Sequence, residues 1–358
     1  MKIAAAAFSL ALYYGDNGEN KIQYFSNLTL RKTYSIGIST AQLSFSTPKP
    51  FIAPRAAKIR LVGSSVVNTT DYFISSRTLS GGIYTVNALD RNAFLDEDLI
   101  LTAEDEEKSF LSVSTFCEKL KSALGYTQVY GVPSWLQQIP LDEVKNKTFA
   151  AVMQMIADAA YGTWCCRHGE ILEFVPFGYY TQRVGVEKHT ALDISDTPYI
   201  TGLYITDGEG NTVTRGSGTH KYEALQLEST LYNCNDGYIA DLEDRVLKKK
   251  NNFDAVVDKS AMCCATAVLD DIPDTVSIFD FDEYKGKSFE VKDIQCNITS
   301  NGIFATLSNN NGTDEIQTSG KITRALNDKV DYGKVGRNAV LTKFQGYAYA
   351  EEKEPGEE

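Results

Sequence analysis

The sequence has little of what enzymes and metal proteins use for chemistry. It holds three histidines, His168, His189 and His220, and none of them belongs to a recognisable nucleophile motif. Its seven cysteines are an odd number and include no CxxC pair, so the spacing of zinc ligands is lacking. Reduced, mostly buried thiols made in a cytoplasm agree best with this cysteine usage. We therefore predict no catalytic residue, no cofactor site and no metal site.

Two further patterns could carry chemistry, and both are weak. The glycine-rich run 208–218 lacks the Lys-Ser/Thr ending of a phosphate-binding loop, and its glycines do not have dinucleotide-binding spacing. We interpret this run as a surface loop. Paired carboxylates such as Asp270-Asp271, or Asp280 with Asp282, could in principle serve a glycosidase. In a chain with 47 acidic residues such pairs are expected by chance.

Net positive charge is also lacking. The formal charge of −12 and the pI near 4.9 argue against a protein that binds nucleic acid through clustered Lys and Arg on phosphates. An acidic surface repels DNA, which suits an ordinary solvated surface and also a channel through which DNA slides. Long apolar runs are missing as well. No segment is long enough to span a membrane, and we predict no membrane anchor.

The first residues allow two interpretations. Lys2 and the short apolar run that follows it could pass for a signal peptide. However, Phe8, Leu10 and Leu12 alternate with other residues, and the turn-like sequence 15–18 (GDNG) follows. This alternation favours a first β-strand.

Aromatic residues and turn residues dominate what is there. Tyr (20) and Phe (17) are abundant, and the strand-like runs are short and separated by Gly, Asn and Asp. We predict an α+β fold that is predominantly β, with two related small β-barrel domains, an intervening helix-plus-hairpin (αββ) unit and a helical insert in the second barrel. The predicted segments are 1–98 for the first β-barrel, 99–176 for the helical and αββ domain, 177–235 plus 263–312 for the second β-barrel, 236–262 for the helical insert, and 313–358 for a C-terminal extension with an acidic mobile tail.

Residues 146–174 form the clearest local unit, a capped helix followed at once by a hairpin. Thr148 is the predicted N-cap, and Gly162 is the predicted left-handed residue that ends the helix. His168-Gly169 is predicted to form a tight, exposed turn between two strands. The apolar stripe of the helix consists of Phe149, Val152, Met153, Ile156 and Ala160.

Two other segments before this unit have a predicted structure. Thr115 and Glu118 have capping-box spacing, so a helix is predicted to begin at Thr115 and to stop at Gly125. The acidic run 96–107 is predicted to be a solvated loop. Further along, the apolar stripe of residues 236–250 predicts a helix.

An internal repeat links the two strand-rich regions. Residues 74–86 align with residues 294–306 without a gap, and the alignment places Gly81-Gly82 over Asn301-Gly302. Both dipeptides are typical of two-residue hairpin turns. Chance similarity of two ordinary hairpins explains this likeness as well as a pair of related barrel domains does.

The αββ stretch resembles a recurring segment of phage tail hub proteins. There, a K-T-x-R-E-V-L-x-x-I-A-x-x-x-G helix leads into a hairpin of the form D-x-x-G-x-L. Lys147-Thr148, Ile156-Ala157 and Gly162 match this pattern, whereas Ala150-Ala151 replaces the usual polar pair and His168 precedes the turn glycine. Weaker resemblances flank the unit in the same order as in the family, at 39–45, 90–95, 200–204, 274–276 and 302–307.

The resemblance implies a structural role. Hub proteins of this kind are homotrimers with two barrels per chain, so a ring of six barrels matches the sixfold tail tube while threefold symmetry meets the central spike. The implied partners are a tail tube or distal tail protein, the central spike protein and other baseplate proteins. DNA would pass through the lumen without specific binding if the particle is a virion. The implied location is the tail of a virion or phage-like particle, assembled in the bacterial cytoplasm.

Two other functions remain open at the level of the sequence. The first is a tail-associated cell-wall hydrolase with a cryptic site, for which Asp280 and Asp282 would be the residues to replace in a peptidoglycan zymogram. The second is a secreted glycan-binding β-protein, which requires a cleaved signal peptide that N-terminal sequencing would reveal.

Overall fold

The structure is a computed structural model, and it divides the chain into two compact units. The first unit comprises Met1–Thr197 and Asn251–Asn311, and the second comprises Pro198–Lys250 and Gly312–Glu358. The residues that the structure describes are 10–14, 20–22, 24–48, 58–63, 69–95, 97–177, 183–186, 191–196, 200–206, 210–216, 221–226, 240, 243, 253–260, 275–278, 288–299 and 302–309. Strands predominate among them, so the predicted class, α+β and mostly β, is confirmed. The domain boundaries given above stay a prediction.

The N-terminal part of the first unit consists of consecutive strands, as the sequence predicts. In the fifth strand Ala41, Leu43 and Phe45 are buried and alternate with the exposed Thr40 and Gln42, which is the two-residue period of a half-buried strand. The elements are β1 Leu10–Tyr14, β2 Asn20–Ile22, β3 Ser26–Thr33, β4 Gly37–Ile38, β5 Thr40–Thr47, β6 Lys58–Gly63, β7 Thr69–Ser80, β8 Ile83–Leu89 and a 3₁₀ helix over Arg91–Phe94.

Helices and short strands follow. They are α1 Ala103–Glu106, β9 Phe110–Ser112, α2 Val113–Leu124, β10 Gln128–Tyr130, β11 Gln138–Pro140, α3 Leu141–Val144, α4 Phe149–Ala160, β12 Gly162–Arg167 and β13 Ile171–Pro176. Helix α2 begins before the predicted cap, because the Ser112 hydroxyl accepts the backbone N–H of Thr115 at 3.0 Å. The predicted stop at Gly125 is confirmed, with a left-handed φ of 68°. The predicted loop 96–107 is wrong in part, since it contains α1.

Helix α4 is capped as predicted at one end and differently at the other. The hydroxyl of Thr148 accepts the N–H of Ala151 at 3.2 Å, which confirms the N-cap. The left-handed residue is Tyr161, with φ of 48°, and not Gly162. Gly162 is required for another reason. A Cβ there would lie 2.5 Å from the ring of Phe174, so the glycine permits the close approach of β12 and β13.

The other elements whose bounds the structure describes are strands. They are β14 Arg183–Val186, β15 Ala191–Asp196, β16 Ile200–Thr206, β17 Thr212–Gly216, β18 Lys221–Gln226, β19 Phe253–Ser260, β20 Thr275–Ile278, β21 Ser288–Glu290, β22 Asp293–Thr299 and β23 Gly302–Ser308. The predicted surface loop 208–218 is wrong where β17 pairs with β16. The predicted insert 236–262 contains a strand, because the aromatic and β-branched residues of β19 pair with β15 and β23. The helix predicted at 236–250 lies outside the described residues except at 240 and 243, which are helical.

One large sheet dominates the first unit. Its eleven strands have the order β15-β19-β23-β22-β3-β5-β8-β7-β6-β1-β2. Strands β3 and β22 pair antiparallel, so strands from the two predicted barrels share this sheet. Arg31 and Asp293 join the two strands through an ion pair of 3.1 Å. Smaller sheets have the orders β10-β13-β12-β4, β11-β9 and β14-β20-β21 in the first unit, and β17-β16-β18 in the second.

The two hairpins of the internal repeat have the same turn length. In β7–β8, Ser80 pairs with Ile83, and the intervening Gly81 and Gly82 have φ of 56° and 81°. In β22–β23, Thr299 pairs with Gly302, so two residues separate the paired ends of these strands as well. The gapless alignment sets Gly302 in the turn, whereas Gly302 is already paired with Thr299, so the alignment is one residue out of register there.

A β-bulge explains the offset. In β7 the pairing with β8 shifts between Ile74 and Ser76, which inserts an extra residue before the turn. As a result the Ile74–Ala88 pair corresponds to the Ile294–Leu307 pair. The two hairpins have the same strand pairing once the extra residue of the bulge is left out. The gapless sequence alignment is therefore in register before the bulge and one residue out of register after it.

A buried hydroxyl in β12 gives a prediction with an unusual sign. Thr163 is fully buried, and its Oγ1 has no hydrogen-bond partner among the described residues. We expect Thr163→Val to raise the free energy of unfolding by about 1 kcal/mol, because it removes a desolvated polar group. The matched control is Thr148→Val, which removes the cap of α4 and should lower the free energy of unfolding by about 1 kcal/mol. Urea unfolding measures both, and a clear loss of stability in Thr163→Val would contradict the expectation.

Candidate assembly surfaces

A short segment that follows β8 attaches the large sheet to the helical part of the first unit. We call Asp90, Arg91 and Asn92 the junction. The N–H of Asp90 donates to the carbonyl of Ala41 at 2.9 Å, and the N–H of Ala41 donates to Oδ2 of Asp90 at 3.1 Å. These reciprocal bonds fix the start of the junction to β5.

Asn92 connects the sheet to the αββ unit through its amide. Its Nδ2 donates to the carbonyl of Ser39 at 2.9 Å and to that of Trp164 at 3.1 Å. The hydroxyl of Tyr126 donates to Oδ1 of Asn92 at 2.8 Å. Burial raises the pKa of Tyr126 well above its ordinary value, so this hydroxyl keeps the proton that it donates.

Arg91 makes the second connection. Its Nη1 donates to the carbonyls of Leu124 and Gly125 at 2.6 and 2.8 Å, and its Nε donates to the carbonyl of Gly169 at 2.9 Å. The guanidinium also lies 5.3 Å from the centre of the Phe73 ring, within the range of a cation–π contact. A single cation thus caps the carboxyl end of α2 and contacts both the hairpin turn and β7.

The αββ unit itself is closed around one buried indole. Trp164 is fully buried, donates from Nε1 to the carbonyl of Met153 at 2.9 Å, and meets the ring of Phe174 edge to face at 5.1 Å. Backbone pairing of β4 with β12 adds the N-terminal region to this sheet. The junction therefore anchors a well-packed body, from which exposed features project.

The tip of the β7–β8 hairpin is the first exposed feature. We call residues 75–83 (SSRTLSGGI) the arm, and every residue in it is exposed. Leu79 and Ile83 expose 58% and 48% of their surface. The arm carries one cation, Arg77, and no carboxylate. Strand β6 covers β7 only from Thr69 to Phe73, so the hairpin extends past its described neighbour on that side.

The second exposed feature is acidic and apolar. We call residues 97–110 the shoulder. Ile100 exposes 78% of its surface, and Phe110 exposes 48%. The exposed carboxylates of the shoulder belong to Glu97, Asp98, Glu104, Glu106 and Glu107.

Buried polar contacts hold the shoulder in place. Asp105 accepts a hydrogen bond from Thr102 in a capping box, and its Oδ2 lies 2.8 Å from Nζ of Lys119. The same Nζ donates to the carbonyl of Ile100 at 3.1 Å. The bond from Lys119, followed by those from Thr102, holds the pKa of Asp105 well below its usual range. These contacts tie the centre of the shoulder to α2, while its rim stays polar and exposed.

The lowered pKa of Asp105 gives a pH-dependent prediction. Because the folded state favours the ionised form, the stabilisation is present above the unfolded pKa of about 4 and is lost as the pH falls further. We expect Asp105→Asn to lower the free energy of unfolding at pH 7 by about 1.5–3 kcal/mol. The difference from wild type should shrink below about pH 4. Urea unfolding of both chains at pH 7 and below about pH 4 measures this difference.

The control lies on the same helix. Glu106 is exposed, so Glu106→Gln should change the free energy of unfolding by less than about 0.5 kcal/mol at either pH. Equal effects of Asp105→Asn and Glu106→Gln would contradict a specific role of the Asp105–Lys119 pair.

The residues considered for chemistry are not brought together in the described part of the chain. His168 lies in the predicted hairpin turn, with φ of 54°, and is half-buried, whereas the prediction placed it in solvent. Cys165, Cys166 and Cys296 are buried thiols outside any disulfide, as predicted, and Cys117 is a half-buried thiol. The other positions considered, His189, His220, Cys234, Cys263, Cys264, Asp270, Asp271, Asp280 and Asp282, lie outside the described residues.

No cluster of three or more His, Cys, Asp or Glu that could hold a metal ion occurs in the described residues. Likewise, no helix within the described ranges is long and apolar enough to cross a membrane.

Comparison with known proteins decides the fold. No family model matches the chain, and no curated protein matches its sequence. The 43 kDa tail protein of prophage MuSo2 from Shewanella oneidensis matches with a TM-score of 0.59 at 12% identity, over 84% of this chain and 97% of that one. The chain has the fold of prophage tail proteins. A tail protein from Neisseria meningitidis MC58 matches with the same TM-score of 0.59 and 12% identity, over 84% of this chain and 96% of that one.

The tail-protein fold extends to a secretion apparatus. A component of the type VI secretion system of E. coli, which is structurally similar to the T4 bacteriophage tail proteins gp27 and gp5, matches with a TM-score of 0.52 at 12% identity. This match covers 83% of this chain and 75% of that one. The resemblance to phage tail hub proteins is thereby confirmed at the level of the fold.

Proposed function

We propose that this chain is a structural hub of a phage tail or of a tail-like contractile particle. The observation that carries the proposal is the extent of the shared fold, which spans 84% of this chain and 97% of the MuSo2 tail protein. A match of nearly the whole length concerns the arrangement of the elements and not one common hairpin. The proposed role is non-enzymatic.

The proposed assembly is a homotrimer that joins the sixfold tail tube to the threefold spike. The bulge-corrected hairpins β7–β8 and β22–β23 support it, because a chain that carries a related strand pair twice can present two similar faces. Three such chains then present six faces to a sixfold partner. Neighbouring subunits would also cover the terminal strands β2 and β15 of the large sheet.

The proposed partners are the tail tube or distal tail protein on one side and the central spike on the other, with other baseplate proteins around them. The net charge of −12 supports a lumen that DNA passes without specific binding if the particle is a virion. Assembly takes place in the bacterial cytoplasm before the particle is released.

Deletion of the coding sequence in a particle-producing bacterium tests this proposal. We expect tails to be absent or to lack a spike in electron micrographs, and plasmid-borne expression to restore them. Purified particles should contain the chain in a fixed ratio to the tube protein. Complete, spike-bearing tails from the deletion strain would contradict the proposal, and clearing of peptidoglycan by the purified chain would favour a hydrolase instead.

A further inference from the structure

We propose that the arm of one copy docks on the shoulder of the next copy, so that the trimer closes head to tail. This inference rests on the proposed function, because it names the surfaces that join the copies of the hub. It assigns complementary roles to residues 75–83 and 97–110 of every chain.

The apolar side chains at the centre of both surfaces are exposed within their own chain. Leu79 of the arm and Ile100 of the shoulder belong to the same compact unit, and they expose 58% and 78% of their surface there. A folded copy therefore does not bury one against the other. Burying large aliphatic side chains of this kind is the main favourable contribution to association.

The arm and the shoulder also carry opposite charge. The arm has Arg77 and no carboxylate, whereas the shoulder exposes five carboxylates and one cation, Lys108. Opposite charge at the rim of an interface steers the encounter and fixes its register, while the apolar contacts at its centre supply affinity.

Contacts within each chain hold the base of the arm and the centre of the shoulder in place before the copies meet. Strand β5 pairs with β8 from Tyr84 to Leu89, which holds the base of the arm. On the shoulder, Lys119 binds both Asp105 and the carbonyl of Ile100. Because the base of the arm and the centre of the shoulder are held in place before contact, docking costs less conformational entropy than it would for two unsupported loops.

The symmetry follows from the use of two different surfaces. An interface between unlike surfaces is heterologous, and it yields a closed ring when the rotation between copies divides a full turn. Each copy then gives one arm and receives one arm. A trimer needs three such contacts, which are identical.

Two substitutions test the docking in the full chain. Leu79→Asp removes the apolar tip of the arm, and Ile100→Asp removes that of the shoulder. We expect each to raise the concentration at which trimers dissociate by at least about tenfold, as measured by sedimentation or mass photometry. The matched control is Tyr24→Asp, a side chain that exposes 60% of its surface outside both features and should have little effect. Circular dichroism confirms that each variant is folded.

A mixing experiment distinguishes head-to-tail contact from a symmetric one. The Leu79→Asp chain keeps an intact shoulder, and the Ile100→Asp chain keeps an intact arm. In a mixture, the intact arm of the Ile100→Asp chain can dock on the intact shoulder of the Leu79→Asp chain, but no second intact pair is left to close a ring. At a concentration at which each variant alone is monomeric, we therefore expect a one-to-one heterodimer. Absence of that heterodimer would overturn the head-to-tail arrangement.

A crosslink locates the contact directly. A photoreactive residue at position 79 should crosslink to residues 97–110 of an isotopically labelled second copy. Crosslinks from position 79 to the tube protein, or to another face of the second copy, would overturn the docking. If both Asp variants form trimers as stable as those of the wild type, the docking is overturned while the hub proposal stands. A wild-type chain that stays strictly monomeric with the tube and spike proteins present would contradict both proposals.

Discussion

Replacing Asn92 with alanine is expected to lower the free energy of unfolding by about 3 kcal/mol, because it opens a buried polar network. The carbonyl of Ser39 loses its bond to Nδ2, and the hydroxyl of Tyr126 loses its acceptor. Each desolvated group that is left without its bond costs about 1–3 kcal/mol. The carbonyl of Trp164 keeps a bond of 2.7 Å from the hydroxyl of Ser39, which limits the damage there.

The matched control for Asn92→Ala is Asn297→Ala. Asn297 is exposed on β22, so its replacement should change the free energy of unfolding by less than about 0.5 kcal/mol. Guanidinium unfolding, followed by the fluorescence of the two tryptophans, measures both variants. A loss below about 1 kcal/mol for Asn92→Ala would show that the junction contributes less than its hydrogen bonds imply.

Gly131→Ala is the second substitution with a large expected effect. Gly131 has φ of +89°, and a Cβ there would lie 2.3 Å from the carbonyl oxygen of Phe174. The backbone of β13 must therefore move, and a forced shift of this kind costs about 1–3 kcal/mol. The positive φ adds roughly 1–2 kcal/mol of strain for any L side chain. We expect a total loss of about 3 kcal/mol.

Gly81→Ala separates the two contributions. Gly81 also has a positive φ, of +56°, but a Cβ there would meet nothing within 4 Å. It should therefore cost only the strain of the left-handed conformation, roughly 1–2 kcal/mol. Thermal unfolding of both variants measures the difference. Equal losses in the two variants would show that the contact with Phe174 relaxes without cost.

The elements that the sequence predicts well are those with a complete local signal. Helix α4 has an apolar stripe and a threonine that caps it, and both are confirmed. The predicted end of that helix is wrong, because a glycine that ends a helix in the left-handed conformation and a glycine that allows close strand packing look alike in a sequence. Gly162 is needed for close strand packing, and Tyr161 takes the left-handed conformation instead. The reason lies in Phe174 on the facing strand, which local sequence does not reveal.

The junction could not be predicted from local pattern, because its partners are remote in the chain. Asn92 binds residues 53 and 72 positions away, and Tyr126 lies 34 positions from it. The only signal in the sequence is a polar Asp-Arg-Asn run directly after an alternating strand. The register of the internal repeat could not be predicted either, because no local sequence pattern marks the bulge that shifts the pairing of β7.

The shoulder and the arm carried partial signals. The charge of the acidic run 96–107 predicts a solvated loop. The buried pair of Asp105 with Lys119, a residue of α2, makes part of it an ordered helix. The Gly81-Gly82 turn was recognised, whereas the exposure of Leu79 and Ile83 depends on how far the neighbouring strands extend.

Native mass spectrometry of this chain co-expressed with its tail tube and spike proteins tests whether the chain is a trimeric hub. We expect a complex with three copies of this chain for each ring of six tube subunits and each trimeric spike. A chain that stays strictly monomeric in the presence of both proteins would contradict the hub assignment.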